Sequence, residues 1–157
     1  MGLFSFIKDA GEKLFGHEEE KVVETKSPEE LNLEKANRLK DKINGLGLPV
    51  DDLNIVIVED KALVFGTVPN QEVREKVILV VGNTEGIAEV DDRLEVNEPQ
   101  PEARFYTVKK GDYLSKIAKE MYGDANKYMV IFEANKPMLK DPDLIYPGQV
   151  LRIPPLD

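Results

Sequence analysis

The chain has no cysteine, no tryptophan and a single histidine, His17. Without cysteine there is no disulfide framework, no thiolate nucleophile and no Cys-based zinc or iron-sulfur site. One histidine removes HExxH-type and His-rich metal centres, and it leaves a Ser/His/Asp arrangement only if His17 itself is the base. No site unites an activated nucleophile with a base, so a non-enzymatic protein is expected. No run of about 18 apolar residues occurs, which argues against a membrane-spanning helix. The opening MGLFSFIKDAGEKLF shows neither a basic n-region with a long apolar core nor a small-residue cleavage site, and a soluble cytoplasmic protein is expected. Phe6 stands where a myristoylation signal wants Ser or Thr, so lipidation is set aside.

What is present is the composition of a packed protein: 157 residues, 41% hydrophobic and 32% charged, enough for one medium domain or two small ones. The 21 Lys and Arg against 30 Asp and Glu give a formal net charge of -9. That charge is unevenly spread. Residues 1–103 hold 12 basic and 23 acidic side chains, net -11, whereas residues 104–157 hold 9 and 7, net +2. The division suggests two units, and a monomer is expected. An acidic chain whose lysines are interleaved with acids is repelled by nucleic-acid phosphates and anionic lipid, so no nucleic-acid partner is expected.

Along the first fifteen residues Phe4, Ile7, Ala10 or Gly11, and Leu14 recur at helical spacing, which predicts a short amphipathic helix interrupted near Gly11. Too short to be stable alone, it must dock, and the first domain is the expected surface, with a membrane or a partner protein as alternatives. The stretch from His17 to Glu30, rich in Glu, reads as a solvated linker or frayed helix. Ser27, Pro28, Glu29 and Glu30 supply an N-cap and acidic first turn for a helix carrying Leu31, Ala36, Leu39, Ile43 and Leu46, ended by Gly45 and Gly47. Leu53 to Val58 and Ala62 to Val68, around a Glu59-Asp60 turn, predict an antiparallel hairpin. After Pro69 and Asn70, a second helix carries Val73, Val77, Val80 and Val81 and ends at Gly82. Ile87, Val90, Leu94 and Val96 then predict a third strand, irregular near Asp91 and Asp92. The order α-β-β-α-β gives an α+β domain with both helices on one face of a small sheet.

Asn97 to Glu102, with two prolines and two acids, reads as a linker. Beyond it come a strand at Phe105 to Val108, a turn at Lys110-Gly111-Asp112, a helix carrying Leu114, Ile117, Ala118 and Met121, and a second carrying Tyr128, Ile131, Phe132 and Ala134. A Pro147-Gly148 turn leads to a strand in which Val150 and Arg152 face opposite Leu151 and Ile153. The first and last strands of this β-α-α-β unit are expected to pair antiparallel. The expected organisation is therefore an N-terminal segment and acidic linker over 1–28 docking on a domain at 29–96, a linker at 97–103, and a second domain at 104–157.

The ordered set Tyr106-Thr107-Val108, Gly111-Asp112, Leu114, Ile117-Ala118, Ile131, Asn135, Ile145, Pro147-Gly148, Leu151 and Ile153-Pro154 makes the second unit resemble a LysM domain. The element order of the first unit, with Val80-Val81-Gly82 leading to Gly86-Ile87 and Val90, makes it resemble a BON domain. Over essentially its full length the chain is similar to the small cytoplasmic bacterial potassium-binding proteins in which BON precedes LysM. That resemblance implies K⁺ held by backbone carbonyls, the N-terminal segment closing on the BON loop and the LysM domain docking alongside. Carried over position by position, the carbonyls are those of Ile7, Ala10, Gly82, Thr84 and Ile87. The LysM resemblance also implies, as an alternative function, binding of N-acetylglucosamine-containing glycan along Gly111, Asp112, Tyr113 and Leu114 together with Ala134, Asn135, Lys136 and Pro137. A third alternative is a non-enzymatic envelope-stress adaptor, since exported BON proteins are associated with membranes. Balanced Lys8, Lys13, Asp9 and Glu12 give the N-terminal segment little attraction to anionic lipid.

A physical rationale accompanies the resemblance. The last turn of a helix leaves carbonyls without intrahelical partners and carries the negative end of the macrodipole. One such end is expected near Gly11 and another at Gly82. Neutral carbonyls can replace the hydration shell of K⁺ without the carboxylate charge that Ca²⁺ and Mg²⁺ sites use. The bland alternative makes Gly82 a helix cap and Gly86 a tight-turn residue. The acidic pairs Asp51-Asp52, Glu59-Asp60 and Asp91-Asp92 lack EF-hand spacing and read as solvated turns. Their field favours divalent over monovalent ions and cannot give K⁺ preference.

Overall fold

A computed structural model describes residues 2–11 and 27–156. The first unit is a four-stranded sheet in the order β1-β4-β3-β2, and the second a two-stranded sheet, β5-β6. Helix α1 spans Pro28–Gly45. The Ser27 hydroxyl accepts from the Glu30 N–H at 3.2 Å, with Pro28 opening the first turn, and the buried face is Ala36, Leu39 and Ile43. Such a cap is worth about 1 kcal/mol.

Strands β2 (Asp51–Val58) and β3 (Lys61–Asn70) form the expected hairpin, Val58 opposite Lys61 across Glu59 and Asp60. Pro69 and Asn70 belong to β3, and the Asn70 side chain caps α2 (Gln71–Gly82) by accepting from the Val73 N–H at 3.0 Å. Strand β4 (Glu89–Glu98) returns parallel to β3. The irregularity expected near Asp91 and Asp92 is absent, because Val90, Asp92 and Leu94 alternate inward without a break. Asp92 tolerates its inward position by accepting from Arg74 Nε at 2.5 Å and from the Leu94 N–H at 2.9 Å. Both helices lie over one core that includes Leu39, Ile43, Ile55, Val64, Val77 and Leu94.

The N-terminal helix expected from Phe4, Ile7, Ala10 or Gly11, and Leu14 is a strand. β1 (Gly2–Ser5) pairs antiparallel with β4, Gly2 opposite Asp92 and Ser5 opposite Glu89. The same residues carry a second periodicity: Phe4 and Phe6 pack half-buried against the core while Leu3 and Ile7 are exposed. A helix this short pays the full nucleation penalty, whereas the open edge of β4 offers ready main-chain hydrogen bonds. Residues 8–11 then turn, with the Ala10 N–H donating to the Ile7 carbonyl at 3.1 Å. Leu14, His17 and the acidic stretch up to residue 26 lie outside the described residues.

In the second unit, β5 (Arg104–Thr107) and β6 (Val150–Ile153) are antiparallel, Tyr106 opposite Leu151. Between them lie α3 (Leu114–Tyr122), a 3₁₀ turn at Ala125–Lys127 and α4 (Tyr128–Ala134). Tyr106, Leu114, Ile117, Ile131, Leu151 and Ile153 form the second core. All four residues of β6 are buried, because Val150 and Arg152 face the first unit. The run Val77 to Gly82 is buried throughout for the matching reason, one side against the sheet and the other toward β6.

Candidate functional site

Helix α2 delivers the chain into the loop Gly82 to Ile87. The Asn83 N–H still reaches the Leu79 carbonyl at 2.9 Å, and the Thr84 hydroxyl donates to the Val80 carbonyl at 3.0 Å. The Gly86 N–H, which would close an i+4 bond to Gly82, donates instead to the Lys8 carbonyl at 2.8 Å. That exchange frees the Gly82 carbonyl from the helix ladder and ties the loop to the N-terminal turn. The Phe6 N–H donates to the Ala88 carbonyl at 2.8 Å, a second tie. The carbonyls of Ile7 and Thr84 each accept one N–H, from Ala10 and Ile87, both at 3.1 Å. Each carbonyl oxygen has two lone pairs, so one stays available.

Steric fit sets how closely the turn and loop approach. The ring of Phe6 lies directly on Gly82, in the space a Cβ would occupy. A Cβ on Gly11 would stand 2.5 Å from the Thr84 carbonyl carbon and 2.6 Å from the Asn83 carbonyl group. From the other side Gly148, at φ +91°, brings the turn before β6 against Ala10 and Ile7, so that a Cβ on it would overlap the Ala10 Cβ and stand 3.5 Å from the Ile7 side chain. Residues Ile7, Ala10, Gly82, Thr84 and Ile87 thus lie in one turn and one loop that face each other, with the second unit's turn against the first of them.

The two units are joined by buried polar contacts. Asn83 donates through Nδ2 to the Val150 carbonyl and accepts through Oδ1 from its N–H, both at 2.8 Å. Within the second unit Asn135 makes the same pair with Arg152, donating at 3.0 Å and accepting at 2.8 Å. Two asparagine side chains thereby satisfy an edge of β6 that has no strand beside it. Arg152 reaches Glu75 on α2 at 2.8 and 2.9 Å, both side chains over nine-tenths buried, and Glu75 also accepts from Gln71 at 3.0 Å and the Ala103 N–H at 2.9 Å. Phe4 and Phe105 stack with ring centroids 5.3 Å apart.

Of the glycan-groove candidates, Leu114, Ala134 and Asn135 are buried, and Asn135 spends its amide on β6 and on the Ile131 carbonyl at 2.7 Å. Lys136 pairs with Glu133 at 3.1 Å and covers the Phe132 ring; Tyr113 is exposed, and Gly111 takes φ +89° in the turn before α3. Pro137 follows Lys136 through a cis peptide. The Asp112 carboxylate accepts from the Tyr106 hydroxyl at 2.7 Å and the Lys109 N–H at 2.9 Å. Burial alone would push its carboxyl up, but the Tyr106 hydroxyl, the Lys109 N–H and the Lys116 ammonium outweigh that and hold it below the ordinary 3.8. Tyr106 is raised in turn, by burial first and by its bond to Asp112. A depressed carboxyl stabilises the fold above its unfolded value and loses that contribution as pH falls through its folded one. Asp112→Asn is therefore expected to cost about 1 kcal/mol at pH 7, with the gap from wild type closing below about pH 4 in thermal melts.

Of the acidic pairs, Asp91-Asp92 is engaged by arginines, Asp92 by Arg74 and Asp91 by Arg93 at 2.9 Å, and Asp60 of the Glu59-Asp60 turn lies 3.8 Å from Lys8. Among the described residues no cluster of three or more His, Asp or Glu is arranged to hold a metal. Nor, among them, is any helix long and apolar enough to cross a membrane.

Residues 35–98 match the BON domain family and residues 106–154 the LysM domain family. A protein of Escherichia coli named "Potassium binding protein Kbp" is 49% identical over 155 residues, covering 98% of this chain and 99% of its own. The chain belongs to the family of proteins that pair a BON with a LysM domain. An uncharacterized protein of Deinococcus radiodurans is 57% identical over 49 residues, 31% of this chain and 19% of its own length. The expected α+β class, BON-like α-β-β-α-β followed by LysM-like β-α-α-β, is the fold observed, with β1 added at the edge of the BON sheet.

Sequence reasoning missed the residues that join the domains. Arg152 had a signal, a charge on the strand face opposite the LysM core, which asks for a buried acid. Asn83, just past the end of α2, reads in sequence only as a cap residue, and Glu75 as a solvated helix acid.

Proposed function

We propose that this protein binds K⁺ through the main-chain carbonyls of Ile7, Ala10, Gly82, Thr84 and Ile87, and serves as a cytoplasmic, monomeric, non-enzymatic sensor or buffer of that ion. The observation that carries this reading is the face-to-face arrangement of the 7–11 turn and the 82–87 loop, in which the Gly82 carbonyl is released from the helix ladder by the Gly86 to Lys8 hydrogen bond. The name of the Escherichia coli relative, similar along its whole length, supports the choice of ion. Neutral oxygens fit a large monovalent cation, which they hold by number and radius; a small divalent ion draws on clustered carboxylates, and among the described residues no three are grouped to hold one, while Asp92, Asp91 and Asp60 are engaged by Arg74, Arg93 and Lys8. The ion would favour the closed arrangement to the extent that it binds that arrangement better.

The test is calorimetric titration in a Tris buffer with KCl, NaCl and choline chloride. K⁺ is expected to give saturable heat at one ion per chain, Na⁺ a weaker response and choline none. Equal or absent heats in all three would sink the reading. The glycan alternative is less favoured, because three of its eight positions are spent on packing; retention of the protein on insoluble peptidoglycan would revive it.

A further inference from the structure

The LysM turn that abuts Ile7 and Ala10 carries an unexplained polar atom. Gln149 is 3% exposed, and among the described residues its Oε1 is the one buried side-chain oxygen or nitrogen without a hydrogen-bond partner. Its backbone is fixed: the Gln149 N–H donates to Tyr146 at 3.1 Å and its carbonyl accepts from Val108 at 2.8 Å. The residue lines a cleft of about 500 Å³ between the domains, together with Ala10, Gly11, Asn83 and Tyr146 and with two lysines, the half-buried Lys42 and the exposed Lys140. Tyr146 donates from its hydroxyl to the Asn83 carbonyl at 3.4 Å on the same wall. A buried amide oxygen without a donor is costly, and native proteins rarely keep one without an occupant to meet it.

We propose that Gln149 is the LysM domain's own contact with the bound cation, its Oε1 serving the ion directly or through one water of the ion's shell. This rests on the K⁺ reading and deepens it: the five carbonyls of the site come from the N-terminal turn and the BON loop, and the LysM domain adds an oxygen that only the docked arrangement supplies. An amide oxygen is neutral and a strong acceptor, the same chemistry as the main-chain ligands. It makes ion affinity sensitive to docking without adding the charge that would recruit divalent ions.

The test uses full-length Gln149→Met, which keeps side-chain length and removes the strong acceptor. Without K⁺, in choline chloride, the variant is expected to melt at or above the wild-type temperature, since a buried orphan acceptor is gone. With K⁺, its affinity is expected to fall about tenfold and its K⁺-induced rise in melting temperature to shrink. A Kd within about twofold of wild type overturns the proposal. So does a tenfold loss accompanied by a lower ion-free melting temperature, the signature of a loosened turn. Gln149→Glu is the second variant: a carboxylate facing the ion is expected to create a Ca²⁺ response absent from wild type, and no such response overturns the proposal even if the Met variant does not fold. Wild type titrated in parallel separates the two claims, because absent K⁺ heat in wild type defeats the ion reading itself.

Discussion

Arg152→Met is expected to destabilise the protein by roughly 3–5 kcal/mol, the cost of leaving a buried carboxylate without its cation. Glu75 would keep only its bonds from Gln71 and the Ala103 N–H, neither of which carries a formal charge. Against a total stability of about 5–15 kcal/mol that is a large share, and it falls on the contact that joins the domains. Urea unfolding is therefore expected to change from one transition to two, the LysM domain separating first. The double variant Arg152→Met with Glu75→Leu should recover most of the loss, because replacing both charges removes the desolvation cost together with the attraction. A single-variant loss below about 1 kcal/mol, with one transition retained, would show that water reaches Glu75 and that the pair does not hold the domains together.

The elements that announce themselves in the sequence are those whose periodicity is set within one domain. α1 has its Ser27 cap and Ala36, Leu39 and Ile43 at helical spacing; the β2-β3 hairpin has two β-branched runs around a two-residue turn. Where a segment answers to two neighbours, periodicity misleads. Residues 4–7 satisfy both a helical and an alternating pattern, and the choice is made by the free edge of β4, which lies some 85 residues away in sequence and has no local mark. Asp92 looks like a break in a strand because the pattern cannot show that Arg74, eighteen residues earlier, lies beneath it. The same reasoning separates the candidate ligands from the residues that position them. Carbonyls occur at every position, so only the resemblance singled out Ile7, Ala10, Gly82, Thr84 and Ile87. Gly11 and Gly148, whose missing side chains let the two turns approach, have their meaning only after the chain is folded.

Charge adds a second layer. The BON half is acidic and the LysM half slightly basic, and the buried Glu75 to Arg152 pair follows the same polarity. Exposed charges that set this bias are screened within about 8 Å at physiological salt, so the field steers docking weakly while the buried pair and the Asn83 amide fix its register. Raising K⁺ concentration thus has two opposed effects on docking, screening the field and occupying the site. A comparison of KCl with choline chloride at equal ionic strength isolates the second.

Gly11→Val is expected to weaken K⁺ binding by about 100-fold or more, some 2.7 kcal/mol, while leaving the ion-free fold close to wild type. The atoms a Cβ would meet are the main chain of Asn83 and Thr84, at 2.5 to 2.6 Å, and main chain cannot rotate aside as a side-chain tip can. The 8–11 turn must therefore retreat from the loop, taking the Ile7 and Ala10 carbonyls out of range and loosening the Gly86 to Lys8 hydrogen bond. Strand β1 ends at Ser5 and keeps its pairing with β4, which is why the fold itself should survive. Gly11→Ala should give an intermediate loss, since its single Cβ makes the same first contact with less bulk behind it. Gly45→Ala, at the end of α1 with nothing within 4 Å of the added carbon, is the matched control and should leave binding unchanged. Titration calorimetry of the three variants with KCl checks the order. Unaltered affinity in Gly11→Val would mean that the ion is held by the 82–87 loop without the N-terminal turn, and Ile7 and Ala10 would leave the ligand set.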